Sequence, residues 1–129
     1  GDMERTKFKN NSFDIIIAIN SVTYKKNLKS VLKEFRRILK KDGEVFIVVP
    51  HPVRKMIKYT SNYFESGKHW ENYKGIKWFN YYRTLEEYIN TAISCGFKIK
   101  GIYEPKPAIR DKFFYYPTFL IMKLCKDKN

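Results

Sequence analysis

Of the two histidines in the chain, His51 stands at a position suited to chemistry. It follows a run of apolar residues, Val45 to Val49, and then Pro50, which marks it as lying at the C-terminal edge of a buried strand. An imidazole there can take a proton from a bound group or orient that group. It can also do no more than fix the turn between Pro50 and Pro52. His69 is followed by Trp70 and is expected to pack. Asn20 and Ser21 close an earlier apolar run, Phe13–Ile19, at what should be the same edge, and Tyr24 comes just beyond. Between positions 59 and 82 aromatic residues crowd together, with Tyr59, Tyr63, Trp70, Tyr73 and Trp78 among them. They can line a pocket for a planar or apolar ligand, with Tyr63, Trp70 and Trp78 as the contacting rings, or form a satellite core beneath a long loop. Arg83 offers a planar fork for an acidic group, or is simply exposed beside a helix start. Cys95 and Cys125 make neither a CxxC pair nor a disulfide framework, and no metal-ligand spacing is present.

These residues need elements to hold them. Phe13–Ile19 is a nearly continuous β-branched run and predicts a strand buried on both faces, as a parallel sheet requires. Leu28, Val31, Leu32, Phe35, Ile38 and Leu39 form a helical stripe, with Asn27 as N-cap, Lys40-Lys41 at the C-terminal dipole and Gly43 as the stop. A second buried strand follows, so the unit is strand–helix–strand with a right-handed crossover. Residues 50–83 lose periodicity and read as a long, mostly irregular excursion, apart from a short helix begun by Pro52. Thr84 and Glu87 form a capping box, the helix behind them ends at Gly96, and residues 98–103 are a strand. Residues 118–124 are the last strand. The link before it, residues 105–117, has no helical stripe, so the last two strands should be antiparallel neighbours.

With 129 residues, 43% of them apolar and 17% aromatic, the chain suits one domain with one core. No run is long enough to span a membrane, and a cytoplasmic, reducing compartment is the default. The net charge of +13 suggests nucleic acid, but arginines are few among the 26 basic residues and the lysines are scattered singly or in pairs. A solvated basic surface is the simpler reading.

Several stretches resemble class I S-adenosylmethionine-dependent methyltransferases. Gly1-Asp2-Met3-Glu4, Phe8 and Ser12-Phe13-Asp14 are similar to the family's "GDAE…PF…SFD" segment. Glu34, Arg37, Leu39, Lys40 and Gly43 are similar to its "E-x-x-R-x-LKPGG" helix end, with Lys41-Asp42 where Pro-Gly is usual. Phe79 through Phe97 is similar to its later "RT…AGF" helix, and Glu104-Pro105 to the "EP" after it. The resemblance implies an α/β, Rossmann-like sheet in its C-terminal half, with strands ordered 4-5-7-6, the last one antiparallel and the N-terminal half absent. Residues 1–129 are then one partial domain, and residues 51–83 an aromatic-rich insertion over the substrate side. It also implies S-adenosyl-L-methionine as cofactor, with Asp2 at the adenine amino group, the Met3 amide at a ring nitrogen, and Asn20 and Ser21 towards the sulfonium end. Tyr24, Tyr63, Trp70, Trp78 and Arg83 are the acceptor-side candidates, and His51 the candidate base. The six glycines are isolated and form no glycine-rich cofactor loop, so this stretch alone is expected to be inactive. The expected acceptor is a small molecule. The alternatives are an RNA methyltransferase or a non-catalytic interaction module that keeps half of the fold. Without the family's first strand, Phe13–Ile19 should be an open edge, inviting self-association or the missing half.

Overall fold

Strand β1, Phe13–Ile19, pairs in parallel with β2, Leu39–Pro50, so that Ile16 lies opposite Val45 and Ile19 opposite Val48. In this computed structural model residues 2–58, 62–112 and 114–127 are described; Gly1 and Tyr59, both named above, lie outside the described residues. The crossover is helix α1, Leu28–Ile38, started by Asn27, whose side chain accepts the Ser30 N–H at 3.1 Å. Its stripe of Leu28, Val31, Leu32, Phe35 and Ile38 is buried, as the periodicity requires.

The end of α1 departs from expectation. Leu39 is already extended and begins β2, so Lys40-Lys41 lie in the strand and the basic last turn consists of Arg36 and Arg37. Gly43 does not stop the helix. A Cβ there would come within 2.8 Å of the Asp14 carbonyl oxygen and 2.7 Å of Leu39 Cδ1. The β1–β2 register slips at this point, with Phe13 opposite Leu39 and Ile15 opposite Glu44. Glycine is needed for the close approach of two strands rather than for a helix cap.

Helix α3, Leu85–Ser94, has the expected capping box, with Glu87 N–H donating to Thr84 Oγ1 at 3.1 Å. It leads through Gly96 (φ 88°) into β5, Phe97–Tyr103. Strand β6, Phe119–Lys126, lies antiparallel between β2 and β5, giving the order β1-β2-β6-β5. This is the 4-5-7-6 arrangement implied by the resemblance. Because β6 alone is reversed, β1, β2 and β5 all end at one edge. Val45, Ile47, Val49, Leu120, Met122 and Leu124 face α1 and α3 in one core with Tyr88 and Phe97.

Burial of β1 on both faces is not observed. Ile15, Ile17 and Ile19 are 55%, 63% and 62% exposed, while Ala18 on the helix-bearing side is buried. Neither α1 nor α3 covers the isoleucine side, and β1 is also the edge of the sheet.

The excursion is more ordered than its sequence suggests. Helix α2, Pro52–Lys58, is followed by a hairpin of β3, Gly67–Tyr73, and β4, Ile76–Tyr82. Its two-residue turn, Lys74-Gly75, has both φ angles positive (50° and 82°), as a type I′ hairpin turn demands. Alternation exists, but polar residues share the buried face and Trp70 lies on the exposed one. Glu71, Asn80 and Tyr82 are buried on one face, with Tyr82 Oη donating to Glu71 Oε2 at 3.1 Å and Asn80 Nδ2 donating to the same oxygen. Trp70 and Phe79, paired across the strands, occupy the other face with their rings 5.2 Å apart.

Candidate functional site

The edge where β1, β2 and β5 end gathers most of the chemistry. After β1, Asn20 takes a left-handed conformation (φ 51°), its N–H donates to Val48 O at 2.8 Å, and its side chain is exposed. Ser21 is half-buried and leads into a single 3₁₀ turn, Val22–Tyr24. The N-terminal segment docks beside it, because Asp2 Oδ1 accepts from Lys25 Nζ at 2.9 Å and from the Glu4 N–H at 3.0 Å. The Glu4 amide, then Lys25, hold the Asp2 carboxyl below its ordinary range. Met3 packs half-buried against the core. The structure thus brings Asp2, Met3, Asn20 and Ser21 to one end of the sheet.

These residues could hold only part of a nucleoside cofactor. Among the described residues Asp2 Oδ2 has no partner, which leaves an acceptor for an exocyclic amine, and Asn20 offers an exposed amide nearby. Nothing in the 129 residues supplies a glycine-rich turn for the other end.

The acceptor-side candidates divide. Tyr24 stands edge-to-face with Phe79 at 6.0 Å, and Phe79 continues to Trp70, so Tyr24 and Trp70 belong to one exposed aromatic face. Lys68 Nζ lies over both the Phe79 and Trp70 rings, at 4.3 and 4.9 Å. Trp78 is half-buried on the opposite face, across from Glu71. Tyr63 is fastened elsewhere, its hydroxyl accepting the Leu85 N–H at 2.9 Å. Arg83 is buried, not exposed. Its NH2 group donates to the Lys25 and Lys26 carbonyls, the latter at 3.2 Å, tying the hairpin's exit to the loop after β1. It borders a cavity of about 510 Å³ with Lys26, Lys68, Tyr81 and Tyr82.

His51 is 6% exposed and fully engaged. Its Nδ1 accepts the Val53 N–H at 3.1 Å, which caps α2 and assigns the ring proton to Nε2. Nε2 then donates to Glu104 Oε2 at 2.5 Å. The backbone is held as well, the His51 N–H donating to Thr118 O at 2.9 Å. Glu104 directly follows β5 and is a residue that the sequence did not single out for chemistry. Its position after a strand that ends beside His51 was the available signal.

The first 47 residues match the family model described as a methyltransferase domain. No curated protein matches the chain by sequence. Superposed on an S-adenosylmethionine-dependent methyltransferase from Listeria monocytogenes, the chain reaches a TM-score of 0.84 at 22% identity, over 99% of its own length and 68% of that protein's. This is the C-terminal portion of a methyltransferase fold. The methyltransferase from Mesorhizobium loti gives a TM-score of 0.69 at 15% identity, covering 96% of this chain and 66% of the other. A Haloferax volcanii methyltransferase, bound to its activator Trm112, gives 0.70 at 13% identity, covering all of this chain and 60% of the other. The chain therefore spans about two thirds of the first two of these proteins and 60% of the third, in keeping with a partial fold. Open α/β sheets bind ligands outside the carboxyl ends of their parallel strands, and Asn20 and His51 lie at that edge here. Among the described residues no group of His, Cys, Asp and Glu could hold a metal ion, and no helix is long and apolar enough to cross a membrane.

Proposed function

We propose that this chain is the acceptor-side portion of an S-adenosylmethionine-dependent methyltransferase acting on a small molecule. The observation that carries this reading is the convergence of Asp2, Asn20 and the His51–Glu104 pair at the edge where β1, β2 and β5 end. The cofactor supplies a methyl group already activated by positive sulfur, so the protein's task is proximity and alignment. Asp2 and the Met3 amide would hold the adenine, with Asn20 and Ser21 towards the sulfonium. The β3–β4 hairpin forms the acceptor side, with Tyr24, Trp70 and Phe79 as its wall, joined to the edge through Arg83. Residues 1–129 then constitute one partial domain, with 51–83 inserted over the substrate.

RNA as acceptor is the weaker reading, although the net charge is +13. Of the arginines, Arg36 donates to Gly96 O, Arg37 pairs with Glu34, and Arg83 is bound to backbone carbonyls. With three of the six arginines so engaged, most of the charge is carried by lysines, which give salt-sensitive, unselective attraction.

Calorimetry with S-adenosylhomocysteine tests the reading. The 129-residue chain should bind hardly at all, since each missing charge-assisted hydrogen bond costs about 1.5–3 kcal/mol. A protein extended upstream by the glycine-rich segment should bind in the micromolar range. Micromolar binding by the short chain would misplace the cofactor site, and none by the longer protein would favour an interaction module.

A further inference from the structure

His51 and Glu104 form a short polar pair at the strand edge, and its geometry assigns the two residues unequal roles. His51 has no free ring nitrogen, because Nδ1 holds the Val53 amide and Nε2 holds Glu104. For Nδ1 to carry a proton, the imidazole would have to give up the α2 cap. A buried ring so committed is a poor proton acceptor for a ligand, but a good anchor for a carboxylate. Glu104 is the opposite: its side chain is 50% exposed, and among the described residues only Oε2 is engaged, by His51 alone.

The cavity beside Glu104 is lined largely by aromatic and proline residues. Its volume is about 390 Å³, and Phe114, Tyr115, Tyr116, Pro105 and Pro117 line it together with Glu104. Ring faces carry negative potential, so a carboxylate set beside them favours a compact organic cation. The chain itself supplies a cation to one of these rings, the Arg110 guanidinium lying 5.2 Å from the Phe114 centroid. Lys106 lines the same cavity but makes no ion pair with Glu104. In a chain of net charge +13, an anchored carboxylate beside an aromatic segment is a local exception, and it stands at the edge where β1, β2 and β5 end.

We propose that Glu104 is the acceptor-recognition carboxylate, that it binds the ammonium group of a small amine, and that His51 is its positioning residue. This rests on the methyltransferase reading and names the substrate class for it.

Ligand-detected NMR on the 129-residue chain provides the test, with phenethylammonium as the probe and 2-phenylethanol and 3-phenylpropionate as its neutral and anionic counterparts. The ammonium should bind at least tenfold more tightly than either counterpart, and Glu104→Gln should remove that preference. His51→Asn keeps an acceptor for the Val53 amide, since Asn is a good N-cap, but cannot reach Glu104. It should leave the melting temperature nearly unchanged and weaken the ammonium several-fold. Equal binding of the alcohol or the carboxylate, or an unchanged preference in Glu104→Gln, overturns the assignment. Because no cofactor is needed, loss of this result alongside S-adenosylhomocysteine binding by the longer protein would remove the amine and leave the methyltransferase.

Discussion

Glu34 shows how a single buried carboxylate can secure a whole segment. It accepts from Arg37 Nε at 2.8 Å and Arg37 NH2 at 2.6 Å, and from Thr6 through both its N–H, at 2.8 Å, and its hydroxyl, at 2.6 Å. The Arg37 guanidinium first, and then the two Thr6 donors, outweigh burial and hold its pKa at about 2, against an ordinary 4.5. Its folded-state pKa is depressed, so its contribution to stability is complete above about pH 4.5 and is lost as pH falls towards 2. Glu34→Gln should destabilise the chain by about 1–3 kcal/mol at neutral pH and flatten the acid limb of a denaturation series. An unchanged pH profile between 5 and 2.5 would assign that limb to other carboxylates. At this scale the sequence was only partly legible. His51 could be placed on a strand edge from its neighbours. Its partner lies 53 residues away beyond β6, where no local pattern reports it. Arg83 illustrates the same limit, since its acceptors are carbonyls of the distant 25–26 loop, and backbone acceptors leave no residue type to recognise.

Elements were legible wherever a local rule acts with its usual sign. The α1 stripe, the Thr84–Glu87 capping box and the Gly96 stop all depend on residues within a few positions of each other, and all three appear as expected. The hairpin was missed because Glu71 and Asn80 are buried while Trp70 is exposed and aromatic residues stand on both faces, so an alternating strand pattern registers as noise. The turn is also atypical, with Lys74 at φ 50° in a position that Asn or Gly adopts with less strain. Lys74→Asn should therefore stabilise the hairpin by up to about 1 kcal/mol, visible as slower amide hydrogen exchange in β3 and β4. If exchange there is unaltered or faster, the left-handed lysine is not a cost to the hairpin. The end of α1 was misplaced for a different reason. Leu39 is fully buried as a strand residue, and so continues the apolar stripe beyond the helix that produced it.

For the molecule as a whole, both helices of the core lie on one side of a four-stranded sheet, and the isoleucines of its edge strand are left bare on the other. The Listeria and Mesorhizobium methyltransferases are about half as long again. Ile17→Lys should cost little folding stability, because Ile17 is 63% exposed, yet it should reduce self-association in sedimentation. A wild-type chain that sediments as a monomer at every concentration would show that the bare side is tolerated by water. If it does associate, stability ceases to be a property of one molecule. Whatever occupies that side, be it a second copy or another polypeptide, binds the folded state alone and draws the equilibrium by mass action. An excess of one hundred times the dissociation constant adds about 2.7 kcal/mol. The melting temperature of this chain should then rise with its own dilution series read backwards, from the most dilute sample to the most concentrated.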